Sequence, residues 1–143
     1  MSLFNPSRDQ VREFFFGLWD KSRAGEALTP LEAMALAIVM EHPEYHEALA
    51  NPERYREREW PPEGGETNPF LHLAMHLAIE EQVSIDQPPG IRETVRRLAA
   101  KHDSEHEARH AVMECLAEMV WQAQRNAAAF ENATYLECIA RKA

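Results

Sequence analysis

Apolar residues recur along this chain with the period of an α-helix, and the breaks between runs carry helix start and stop signals. In "NPSRDQVREFFFGLWDKSRAG", Phe14, Phe15, Leu18 and Trp19 form one apolar stripe. Ser7 with Gln10 three residues on has capping-box spacing, and Gly25 suits the C-terminal stop. "TPLEAMALAIVMEH" repeats the logic with Thr29 as cap, Pro30 in the first helical position and Glu32 closing the box. Pro43 disfavours helical geometry at His42, so this helix ends or kinks there, and a short helix over 43–51 follows. "NPERYREREWPPEGGETNP" reads as the one long irregular stretch. Asn68 and Pro69 open a helix over 69–83, and "SIDQPPG" is a second break. Helices over 91–101, 105–126 (capped by Ser104, with Glu107 closing the box) and 133–142 complete the reading. Strand alternation is not evident. The expectation is an all-α fold, an antiparallel bundle of about five to six helices including short ones.

Two of these helices differ in their polar faces. Around 69–83 nearly the whole circumference is apolar outside a narrow stripe of His72, His76 and Glu80, which predicts a central helix. The helix over 105–126 is conventionally amphipathic. Val112, Cys115, Leu116, Met119 and Val120 make its core face, and His106, His110 and Glu114 lie toward its polar side.

The histidines are clustered in a way that random placement does not give. Four i,i+4 pairs occur, 42/46, 72/76, 102/106 and 106/110, where seven scattered histidines would produce about 0.3. His42 and His46 straddle Pro43, and His102 and His106 straddle the cap at Ser104. The two intact motifs are therefore His72/His76/Glu80 and His106/His110/Glu114. Imidazoles one turn apart converge on a single ion, with a carboxylate as a further ligand or as an acceptor for imidazole N–H. Mixed His and carboxylate ligation suits Zn, Fe, Mn or Ni. Nitrogens on separate helices must come within roughly 4 Å to share one ion, because each bond is near 2 Å. The competing reading is a solvated or structural role in a non-catalytic protein-interaction module. A metal-free histidine acid–base site and a pH sensor are minor variants.

Composition narrows the class. At 143 residues the chain suits one domain, expected over 4–143, with residues 1–3 tag-derived or disordered. A net charge of -9 argues against nucleic acid. The chain has neither a long apolar run nor a signal-peptide pattern, which points to the cytoplasm and away from a membrane. A protein partner or homo-oligomer stays open. Cys115 and Cys138 fit two buried thiols in a reducing compartment, with a single bridge as the alternative. Gly64–Gly65 lacks the following Lys-Ser/Thr of a phosphate loop, so no nucleotide cofactor is expected. Trp19, Trp60 and Trp121 read as packing residues, Trp60 as a loop anchor, and Met34, Met40, Met75, Met113 and Met119 as core fillers. "DQPPG" reads as a rigid turn.

"FNPSRDQVREFF", "LTPLEAMALAIVMEHPEYH", "NPFLHLAMHLAIEEQVSIDQPPGIR" and "HEARHAVMECLAEMVWQAQR" together resemble the 1841 domain-of-unknown-function family of small bacterial proteins. The resemblance runs from about Phe4 to Ala143. It is most specific around His72–Pro89 and His106–Cys115. It implies a bacterial cytoplasmic protein and carries over no catalytic assignment. Hemerythrin-like and DinB-like proteins share only the broad idea of histidines inside a bundle.

Overall fold

The computed structural model describes residues 7–61, 64–126 and 129–143; the expectation for residues 1–3 lies outside them. Among the described residues there are eight α-helices: α1 (Arg8–Ala24), α2 (Pro30–Met40), α3 (His46–Ala50), α4 (Pro52–Tyr55), α5 (Pro69–Ile85), α6 (Ile91–His102), α7 (Glu105–Asn126) and α8 (Asn132–Lys142). A 3-10 turn, Pro43–Tyr45, precedes α3. No strand occurs among them. The all-α class holds, and the count exceeds the expected five to six. Part of the excess is α4, a single turn inside the stretch read as irregular. Pro52 occupies its first position, where a missing N–H costs nothing.

Most helix boundaries follow from local chemistry. The Ser7–Gln10 and Thr29–Glu32 capping boxes are both formed. Gly25 ends α1 in the left-handed region (φ 72), and the Glu26 amide returns to the Lys21 carbonyl. Asn68 accepts from the amides of Phe70 (3.0 Å) and Leu71 (3.3 Å), and Ser104 accepts from Glu107 N (3.2 Å). Each satisfies amides that a helix start leaves without an intrahelical acceptor. In the turn between α5 and α6, Asp86 accepts from Gly90 N (3.2 Å) and Arg92 N (2.9 Å). The Arg92 bond, then the Gly90 bond, hold its carboxyl below the usual range. "DQPPG" is thus a turn that starts α6.

The chain forms two compact units, through Ala78 and from Ile79 onward, with the division inside α5. In the first unit α1 packs on α2 and α3, and α3 on α4. Its core is rich in rings: Phe15, Phe16, Trp19, Tyr55 and Phe70 join Leu18, Leu49, Leu73 and Leu77. Phe16 meets Phe70 edge-on at 5.2 Å. Arg12 lies in this core at 1% exposure. Its Nη1 donates to the carbonyls of Tyr55 (3.2 Å), Arg56 (2.9 Å) and Arg58 (2.8 Å). Its guanidinium also lies over Trp60 (5.2 Å) and Phe70 (5.1 Å). Trp60, stacked on Tyr55, anchors the loop as expected.

In the second unit α6, α7 and α8 pack against one another. Its buried side chains are mainly aliphatic and sulfur-bearing: Ile79, Ile91, Val95, Leu98, Val112, Met113, Leu116, Met119 and Ile139, with Tyr135 as the large ring. Cys115 and Cys138, expected as two thiols, are joined in a disulfide with Cα atoms 5.9 Å apart. The packing of α7 on α8 brings them within the bridging range, which their spacing of 23 residues did not disclose. Three further expectations give way. Met40 (59%) and Trp121 (52%) face outward, as does Val120 on the supposed core face (40%). Leu71, at 59% exposure, also departs from the reading of a helix apolar and buried all round. No described helix is long and apolar enough to cross a membrane.

Candidate metal centre

The first unit gathers three imidazoles. His72 and His76, one turn apart on α5, have ring centroids 4.9 Å apart. His42 joins them at 5.1 Å from His72 and 4.7 Å from His76. His42 and His76 are buried, at 2% and 3% exposure, and His72 is half-buried. Each offers one ring nitrogen, and these three nitrogens lie within 4.8 Å of one another.

His42 reaches this place because α2 stops. Pro43 excludes helical backbone from the residue before it, and His42 adopts φ -126, ψ 64 between α2 and the 3-10 turn. Its Nδ1 lies 2.8 Å from the Ile38 carbonyl oxygen. A carbonyl only accepts, so Nδ1 carries the hydrogen. In the neutral ring Nε2 then holds the lone pair that a metal would use. His42 and His46, which straddle Pro43, do not stack on one helix: the two part company. His46 donates from Nε2 to the Val39 carbonyl (2.8 Å) and packs on Trp19 at 4.8 Å between ring centroids. Tyr45 stacks flat on His42 (5.6 Å, 3° between planes) and meets His72 edge-on at 5.7 Å. Burial, then the charge of Glu44, raise the Tyr45 phenol above its ordinary pKa, so it stays neutral at physiological pH.

The remaining candidates lie in the second unit. His106 and His110 are paired on α7 at 4.3 Å between ring centroids, His106 exposed and His110 half-buried. Glu80 accepts from Arg109 Nε at 2.5 Å, a pair with little solvent access (29% and 18%). Glu114 accepts from Lys142 Nζ at 2.8 Å. That hydrogen bond is the main cause of a carboxyl pKa below the usual range. Both carboxylates therefore have cationic partners.

His42 is the residue that sequence reasoning set aside. The signal that would have found it is Pro43. A proline just after a helix-terminal histidine frees that side chain from the helical stack and lets its ring return to the last-turn carbonyls.

Ligand bonds near 2 Å require nitrogens about 3–4 Å apart. The three rings thus need only small rotations to close on an ion. They could supply neutral nitrogen donors to a borderline metal and leave coordination positions open.

No curated protein and no solved structure matches the chain. A family model does, over residues 7–141, and that match spans both compact units and the histidine cluster. The chain belongs to the family described as Domain of unknown function (DUF1841).

Proposed function

We propose that this protein binds a divalent transition metal through His42, His72 and His76. The observation that carries the reading is the convergence of three imidazole nitrogens within 4.8 Å. The His42 tautomer, set by the Ile38 carbonyl, supports it. Nitrogen donors without thiolate favour Zn, Fe(II) or Ni over a soft ion, and Mn is the weaker fit. His106 and His110 form a separate pair on α7 in the second unit. Glu80 and Glu114, expected beside the metal, are held by Arg109 and Lys142 in the second unit. An open coordination position would make bound water more acidic, which suits hydrolysis, or admit oxygen.

The test is elemental analysis of untagged protein after reconstitution with Zn, Fe(II), Mn or Ni in turn. About one ion per chain is expected, lost in His42→Ala/His76→Ala with helical circular dichroism retained. No retained metal in any of the four reconstitutions overturns the reading.

A second reading, a non-catalytic interaction module, draws on Val120 and Trp121, adjacent on α7 and both exposed. A co-purifying protein lost in Trp121→Ala, from preparations that hold no metal, would favour it. A bacterial, cytoplasmic setting is part of the leading proposal. The Cys115–Cys138 bridge suits an oxidising compartment instead, and alkylation of thiols during cell lysis decides: a dithiol supports the cytoplasm and a retained bridge overturns it.

A further inference from the structure

The second unit contains an open cavity of about 430 Å³, lined by His102, Glu107, His110, Ala111, Glu114 and Lys142. That volume is in the range of small-molecule sites. Its walls come from the C-terminal end of α6, one face of α7 and the end of α8. Glu107, His110, Ala111 and Glu114 follow i, i+3, i+4, i+7 spacing, so one stripe of α7 forms the floor. The walls are tied together. Lys101 donates to the Lys142 carbonyl (3.1 Å), joining α6 to α8, and Lys142 Nζ pairs with Glu114 at 2.8 Å, joining α8 to α7. The Cys115–Cys138 bridge fixes α7 to α8 beside that ion pair. The Lys101 contact and the bridge hold the three helices whether or not the Lys142–Glu114 pair is closed, and walls fixed in this way spend little ordering entropy on binding.

The lining holds charges of both signs. Two carboxylates disfavour a simple anion, and an ammonium group disfavours a bare cation. One further polar atom stands without a partner: His102 Nε2 is shielded from solvent and has no hydrogen bond among the described residues. A buried polar atom in that state calls for an explanation, and an added ligand or a rearrangement on binding is one.

We infer that this cavity binds a small zwitterion, of which a free α-amino acid is the simplest class. The ligand carboxylate takes Lys142, and its ammonium takes Glu107 and Glu114. The Lys142–Glu114 pair opens to receive both ends, so one internal ion pair is exchanged for three ionic contacts with the ligand, one at its carboxylate and two at its ammonium. His102 and His110 supply the ring nitrogens beside them.

The experiment is a two-dimensional NMR titration of metal-free full-length protein with L-alanine, sodium acetate and methylammonium chloride separately. L-alanine should give saturable shifts in the amides of α7 and the imidazole signals of His102 and His110. Acetate and methylammonium should each bind at least tenfold more weakly, since each carries only one of the two charged ends. Lys142→Ala and Glu107→Gln should each weaken alanine binding by about tenfold. Equal binding of acetate or methylammonium overturns the zwitterion assignment. Absence of saturable alanine shifts, or shifts indifferent to both substitutions, overturns the site. Neither substitution touches the residues proposed to hold metal, and the protein is free of it, so this result and the metal result fail independently.

Discussion

The two compact units exclude water by different means. The first packs aromatic rings and admits polar groups, Arg12 and His42, by bonding them to backbone carbonyls. The second packs aliphatic and sulfur-bearing side chains and adds a covalent bridge. The first unit's core order therefore depends on the bonds that Arg12 Nη1 and His42 Nδ1 make, because a buried carbonyl stripped of its donor costs more than a made bond returns. The second unit's order is secured partly by restricting its unfolded chain.

Removing the buried guanidinium should break the comparison most sharply. Arg12→Ala strips three carbonyls of their shared donor and leaves a void under Trp60 and Phe70. A loss of about 4 kcal/mol in denaturant unfolding is expected. Hydrogen exchange should rise first in α1 and in the segment after α4, with α6–α8 still protected. Uniform loss of protection in both units would show that they do not differ in this way. The bridge comes next. Cys115→Ala/Cys138→Ala frees a loop of 23 residues and should cost about 3 kcal/mol. Its exchange pattern should be the reverse of that for Arg12→Ala, with α8 opening first. Protection of α8 equal to the parent's would show that packing alone holds that helix.

The smallest expected effect is electrostatic. Glu93 on α6 has its pKa lowered from 4.5 to about 2, chiefly by hydrogen bonding from Arg96. A carboxyl held below its unfolded value stabilises the fold when ionised. The contribution is full above the unfolded pKa of 4.5 and fades as pH falls toward 2. The group is exposed, so solvent screening keeps its effect on stability small. A carboxyl NMR titration should place Glu93 near 2, and Arg96→Ala should return it toward 4.5. A midpoint unchanged by that substitution would assign the shift elsewhere.

How far the sequence could be read depended on the range of the interaction involved. Helix starts were legible because Ser7, Thr29, Asn68 and Ser104 act on amides two or three residues away. The His72/His76 pair was legible because one helical turn brings the rings together. His42 was not, because its approach to that pair crosses from the end of α2 to α5, which no spacing in the chain records. The bridge was legible only as the alternative to two thiols, for the same reason: the partner of Cys115 is set by how α8 packs. Met40 and Trp121 show the converse, since an apolar type predicts burial only if a neighbouring element arrives to cover it.

Pro43 has one more consequence. By stopping α2 it leaves the last-turn carbonyls of Ile38 and Val39 to accept from the rings of His42 and His46. Those carbonyls are the negative pole of the α2 macrodipole. An ion coordinated at His42 would lie in that field and gain about 0.3–1 kcal/mol. The helix end would thus favour a cation at His42 without help from a carboxylate.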